Sequence, residues 1–233
     1  MRSEIGINMR LLISITIVLL MSGCAAKTTT KEAAFPDMYS DVNRQVMLIV
    51  PVINETTAAE APDFLNATVA QPLADKGYYV LPVPIVSNIF KEAGIIDGTQ
   101  LKGIPFSTYK DKFGAESVLF IKLTSWETNY MVISGNVTVG MEYILVSAET
   151  NSVLWSYKNT FVLDTSGSSG NLLADLIVTA ISTAATDYVP VARRVHSNAV
   201  MTLPVGKYHP KYLQDGKVKN VIPELASAPV EKF

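Results

Sequence analysis

Two histidines, one cysteine and a serine pair ahead of an apolar run are the residues of this 233-residue chain with types suited to reaction chemistry. In Gly167-Ser168-Ser169-Gly170, either serine could serve as a nucleophile with His196 as its base, provided the fold brings them within about 3 Å. The same segment could hold an anion at a helix start, and a flexible linker closed by a serine N-cap explains it equally well. His196, between Val195 and Ser197 near a helix end, has the pattern of a surface or capping histidine. His209 precedes Pro210 in an extended segment and suits packing. Two histidines so placed do not make a metal pair. No Walker A, GxGxxG, HExxH or GxSxG pattern occurs. The carboxylates are scattered, and Glu142 is expected on a solvated sheet face. Trp126, Tyr130 and Met131 could form an exposed aromatic tip for a partner or membrane, or a loop folded back on the sheet. The sequons at Asn54, Asn66 and Asn136 are matches by pattern only. The chain is therefore read as non-enzymatic, with no cofactor and no metal.

Cys24 is the cysteine, so an intrachain disulfide, a thiolate zinc site and a catalytic cysteine in the folded part are all excluded. It ends a segment with the three parts of a secretory signal. Arg2 and Arg10 supply positive charge, Leu11 to Met21 is a short apolar run, and Ser22-Gly23 are small. Translation from Met1 or from Met9 fits this pattern. About 11 helical residues cover roughly 16 Å, half of a bilayer's hydrocarbon core, which argues against a permanent span. Met21-Ser22-Gly23-Cys24 resembles the lipobox of bacterial lipoproteins, with Met21 where leucine is usual. The resemblance implies diacylglycerol on the Cys24 sulfur, cleavage before Cys24 and acylation of the new amino group. Several acyl chains on one residue give durable attachment where one alone is marginal. Ala25 and Ala26 follow, with no Asp after the cysteine, which in Gram-negative lipoproteins implies the outer membrane, on its periplasmic face or at the cell surface.

The elements that must position these residues follow from periodicity. Residues 1–23 read as signal peptide and 24–44 as the lipidated Cys24 and a polar tether. Residues 45–203 read as a single mixed α/β domain, and 204–233 as an extended segment and loose tail. The near-continuous apolar run Val46-Met47-Leu48-Ile49-Val50 predicts a buried strand. Ala61, Leu65, Val69 and Leu73 predict a helix stopped at Gly77, and Tyr78–Val83 a second strand, which makes a βαβ unit. A short helix from Pro84 to Ala93-Gly94 is expected to turn Ile85, Ile89 and Phe90 inward. Residues 97–113 are expected to be helical with a break near Gly103-Ile104-Pro105, ending at Gly114. Strict alternation then predicts strands over 117–126, 135–146 and 153–163, an antiparallel meander. Val137, Val139, Met141, Tyr143 and Leu145 should face inward. Leu172 through Ala184 form the apolar face of a helix continuing, with a kink near Pro190, to about Met201. The fold class is α/β (α+β mixed sheet) in the order β-α-β-α-α-β-β-β-α, with helices packed on the sheet. A net charge of −2 leaves no electrostatic footprint for nucleic acid.

Four features together resemble a family of bacterial lipoproteins of unknown function that includes a neisserial surface-lipoprotein antigen. They are the lipobox, Val46 to Pro51, Gly77-Tyr78-Tyr79-Val80-Leu81-Pro82-Val83, and Leu203-Pro-Val-Gly-Lys-Tyr-His-Pro-Lys-Tyr212. The resemblance implies a fold similar to the N-terminal domain of TolB and to the periplasmic domain of curli-secretion-type lipoproteins. It carries over no catalytic residue. The partners it implies are other envelope lipoproteins of the curli-secretion type, beside the membrane itself through the acyl chains, with a homo-oligomer as a further option. The expected role is an outer-membrane-anchored, non-enzymatic structural or accessory subunit of an envelope secretion or transport assembly. The alternative is a periplasmic small-molecule or peptidoglycan-binding module.

Overall fold

The computed structural model describes residues 27–40, 46–130, 135–164 and 188–226. Within them the chain opens with a two-residue strand, β1 (Thr29–Thr30), and one helical turn, α1 (Lys31–Ala34). The Thr30 hydroxyl caps that turn by accepting from the Ala33 N–H. Next come β2 (Val46–Ile49), β3 (Ile53–Asn54), α2 (Ala61–Thr68), α3 (Ala70–Asp75) and β4 (Tyr79–Val80). The helix predicted from Ala58 to Lys76 is thus two helices meeting at Val69, with Pro72 in the first turn of the second. Helix α4 (Val83–Glu92), a 3₁₀ turn (Gly98–Leu101) and α5 (Phe106–Phe113) follow. Gly114 ends α5 in the left-handed region at φ 66°. Three long strands succeed them, β5 (Ser117–Tyr130), β6 (Gly135–Ser147) and β7 (Val153–Asp164). The last elements are α6 (Val189–Ala199) and β8 (Lys219–Val221). Pro190 lies in the first turn of α6, where its missing N–H costs nothing. The serine pair and the run from Leu172 to Ala184 lie outside the described residues, as do Met131 and the Tyr130 side chain.

The main sheet is mixed, in the order β4-β2-β5-β6-β7, with β3 also paired to β5. Strands β2, β3, β4 and β5 run parallel to their partners among themselves. The pairs β5–β6 and β6–β7 are antiparallel, as the alternation predicts. Strand β2, helices α2 and α3, and strand β4 form the expected βαβ unit, and β4 returns through α4 and α5 to β5 on the opposite side of β2.

Both faces of the parallel end are covered. On one face, Met47, Ile49, Leu119, Ile121, Val139, Met141 and Tyr143 pack with Leu65 of α2, Leu73 of α3 and Val191 and Val195 of α6. On the other, Leu48, Val50, Val118, Phe120, Ile144 and Val146 pack with Val86 and Phe90 of α4 and Tyr109 of α5. Burying each such aliphatic side chain is worth about 1.5–3 kcal/mol.

Three expectations differ from this arrangement. Ile85 and Ile89 do not face inward: they are 59% and 46% exposed, and α4 buries Val83, Val86 and Phe90 instead. The sequence Val-Pro-Ile-Val-Ser-Asn-Ile-Phe carries two apolar stripes, and only the one reaching Leu48 and Phe120 finds a partner. Glu142 is not on a freely solvated face. Its carboxylate lies 3.8 Å from the ammonium of Lys122, which is 2% exposed and also lies 3.5 Å from Glu55. The tether expected through residue 44 is, over Thr29–Met38, part of the folded body, because β1 pairs antiparallel with β8 near the other end of the chain.

Candidate functional site

Cys24 lies outside the described residues, and the first described element beyond it is β1 at Thr29. There the side chain of Lys31, 3% exposed, points into the body. Its ammonium donates to the Asp215 carboxylate at 2.9 Å and to the Leu203 carbonyl at 2.9 Å. Asp215 is satisfied on every side, since Tyr39 Oη donates to its other oxygen at 2.9 Å and the Val205 N–H donates at 3.2 Å. Burial, and next the hydrogen bond to Asp215, push the Tyr39 phenol well above its ordinary range, so it stays a donor. Burial and the Lys31 charge hold the Lys76 ammonium below its usual value. The segment that follows Cys24 is thus clasped to residues 203–221 by a buried ion pair and a strand pair. Sequence reasoning missed Lys31, Tyr39 and Asp215. A lysine inside Thr-Thr-Thr-Lys-Glu has no periodic signal, and its partner is 184 residues away.

His196 lies near the end of α6, in its last turn, but is fully buried rather than on the surface. Its Nε2 lies 3.1 Å from the Leu65 carbonyl oxygen. A carbonyl only accepts, so Nε2 carries the hydrogen, and Nδ1 accepts from the Tyr143 hydroxyl at 2.9 Å. Burial lowers the imidazole pKa to about 4, so the ring is neutral near pH 7. With both nitrogens occupied inside the core, His196 ties α6 to α2 and β6 and has no lone pair to activate a serine. His209 accepts the Lys211 N–H at Nδ1, 3.1 Å away, which holds a local turn. Trp126 packs against Phe64 and Tyr188, with ring centroids 6.4 and 5.6 Å away, so it folds back on the body. Among the described residues no group of three His, Cys, Asp or Glu side chains could hold a metal ion, and no helix is long and apolar enough to cross a membrane.

The two sequence signatures at 77–83 and 203–212 meet in space. The Gly206 N–H donates to the Lys76 carbonyl at 2.7 Å and the Tyr208 N–H to the Gly77 carbonyl at 3.0 Å. The Tyr78 hydroxyl donates to the Pro204 carbonyl at 2.7 Å. Gly77 has φ +86°, and a Cβ there would strike the backbone nitrogen and Cβ of His209. A Cβ on Gly206 would strike the Gly77 carbonyl. Each glycine is required by the other segment's backbone.

The first signature and all but the last residue of the second fall within residues 37–211, the stretch matched by the model of the family described as "Putative lipoprotein GNA1162-like". The chain belongs to this family. It is 24% identical over 197 residues to lipoprotein NMB1124/NMB1162 of Neisseria meningitidis serogroup B, an alignment spanning 83% of this chain and 89% of the relative. Among solved structures, it is similar to lipoprotein GNA1162 from N. meningitidis at TM-score 0.49 and 27% identity, over 59% of this chain and 94% of that one. It is also similar to the PelC dodecamer from Paraburkholderia phytofirmans at TM-score 0.43 and 16% identity, over 70% and 90% of the two chains. As a GNA1162-like lipoprotein, it has the mixed sheet with packed helices that the sequence pattern predicts.

Proposed function

We propose that this GNA1162-like protein is an outer-membrane lipoprotein held by acyl chains on Cys24. It acts as a non-enzymatic accessory subunit of an envelope secretion or transport assembly, beside other envelope lipoproteins of the curli-secretion type. The observation that carries the reading is the clasp of Lys31 to Asp215 so soon after Cys24. Four residues stand between Cys24 and Thr29, and the five Cα-to-Cα steps at ~3.4 Å each reach about 17 Å. A body fixed that close to its anchor suits a component of a membrane-bound assembly better than a free-ranging enzyme. The occupied nitrogens of His196 support the same reading, since the base that a serine nucleophile at 168 or 169 could have used is already engaged. Ala25 supports outer-membrane sorting.

The test is fractionation followed by crosslinking in intact cells. The wild-type protein should sediment with outer membranes and carry acyl groups on Cys24. Cys24→Ser should lose the acyl groups and leave the membrane fraction. Crosslinked wild-type protein should yield the same envelope lipoproteins reproducibly by mass spectrometry. Sedimentation of Cys24→Ser through a remaining acyl chain overturns the anchor, and wild-type protein that always migrates alone overturns the assembly.

A further inference from the structure

Beyond the C-terminal ends of the parallel strands lies a crevice with a cavity volume of about 380 Å³. Its place follows from the topology. Strand β2 leads through β3 to α2 on one face, and its neighbour β4 leads to α4 on the other, so the two connections part and open a gap at the strand ends. Ligands of open α/β sheets bind at such switch points, and the volume falls at the small end of the range for ligand sites.

The walls are pinned by groups whose hydrogen bonds go to the protein's own backbone, including Asn54 and Asp97 of the lining. The Asp97 carboxylate accepts from the Asn54 N–H at 3.0 Å and from the Thr99 N–H at 2.8 Å. Gln100 Oε1 accepts from the N–H groups of Ile96 and Asp97 at 2.7 and 3.0 Å, while its Nε2 donates to the Gly94 carbonyl at 3.1 Å. Asn54 spends its amide on Ala58 and Thr56. Gly98 lets this rim close on the β2–β3 bend, where a Cβ would strike the Pro51 carbonyl and the Ile53 side chain.

Against these committed groups stand four that are not. Asp63 and Asn66, three apart on α2, and Ser87 and Lys91, four apart on α4, line the crevice from opposite helices. Among the described residues none of the four side chains hydrogen-bonds to protein. Asp63 and Lys91 share the crevice but form no ion pair within 4.0 Å. One wall therefore offers a carboxylate and an amide, the other an ammonium and a hydroxyl, and Ile95 and the exposed Ile96 supply apolar surface between pinned walls.

We propose that this crevice binds a small zwitterion of dipeptide size. The ligand's ammonium lies against Asp63, its carboxylate against Lys91, and its peptide group between Asn66 and Ser87. A ligand carrying charge of one sign leaves one of the two protein charges facing the like charge or nothing, whereas a zwitterion answers both. The inference is independent of the anchoring role above.

The experiment is calorimetric titration of the full acylated chain in detergent with L-alanyl-L-alanine and with D-alanyl-D-alanine. At least one isomer should bind at a single site. Its N-acetyl and C-amide derivatives should each bind about tenfold or more weakly, the effect of losing one charged hydrogen bond. Asp63→Asn should abolish the penalty for N-acetylation and leave that for amidation. Lys91→Met should do the reverse. Both side chains are exposed, so neither change threatens the core. Absence of binding by both isomers at about 10 mM, blocked derivatives that bind as well as the parent, or variants with unchanged discrimination would each overturn the proposal.

Discussion

At the scale of the residue, His196 shows how burial decides what a titratable group does. Its type invites a catalytic reading, but its folded pKa of about 4 lies below the 6.5 of an unfolded chain because the core disfavours the charged ring. Between those values the unfolded state binds the extra proton. The contribution of His196 to stability is therefore complete above pH 6.5 and is lost progressively as the pH falls toward 4. The size is on the order of 3 kcal/mol at one pKa unit per 1.36 kcal/mol. Urea midpoints measured between pH 7.5 and 4.5 should fall steeply for the wild type. His196→Gln should start lower, having lost ring packing against Tyr143, and then change much less across the same window. Parallel pH curves for the two proteins would mean that other groups set the dependence.

At the scale of the element, what could be read from sequence tracks how strongly one pattern excluded its rivals. The alternation of Val137, Val139, Met141, Tyr143 and Leu145 fits only a strand with its core on one side, and all five side chains are buried there. Helix α4 had two candidate stripes, and only the position of Phe120 and Leu48 beneath it chooses Val86 and Phe90. The Lys122–Glu142 pair was invisible for a related reason. The residues flanking Glu142 on its own face, Ile144 and Val146, are covered by helices whose placement no local pattern reveals. Glycines behave in the same way. Gly77 and Gly94 both adopt positive φ, at 86° and 78°, but only Gly77 is pressed against another segment, and nothing lies within 4 Å of a Cβ at Gly94. Gly94→Ala should cost only the left-handed strain, about 1 kcal/mol. Gly77→Ala should cost that strain and the collision with His209, about 2 kcal/mol or more. Thermal melts of the two variants side by side separate the terms, and equal destabilisation would show that the 203–212 segment does not depend on the close approach.

At the scale of the whole molecule, the two ends of the described chain are held together, and this sets how cleavage near the first of them reaches the body. The lead-out from Cys24 is joined to the body through β1–β8 pairing and the Lys31–Asp215 ion pair, while the core of the sheet lies beyond the 41–45 stretch. Breaking the clasp should therefore open residues 27–40 without melting β2 to β7. Lys31→Met removes the ammonium and leaves Asp215 buried against Tyr39 and Val205 alone, a loss of about 3 kcal/mol for half of a buried pair. The local opening energy of the segment falls by that amount, so brief digestion with a broad-specificity protease should cut Lys31→Met within 27–40 far faster than the wild type. Intact-mass analysis reads the cut site, and far-UV circular dichroism should remain that of the wild type before digestion. With the anchor proposed on Cys24, the same cut on membranes should release the fragment beginning near β2 into the soluble fraction and leave the N-terminal stub behind. If Lys31→Met is cut no faster in this segment than the wild type, the clasp does not hold the lead-out. The lead-out would then rest on β1–β8 pairing, the adjoining backbone hydrogen bonds of Lys31 and Glu32, and Phe35 in the core; Thr30→Pro would test the pairing by removing the backbone donor of a paired residue.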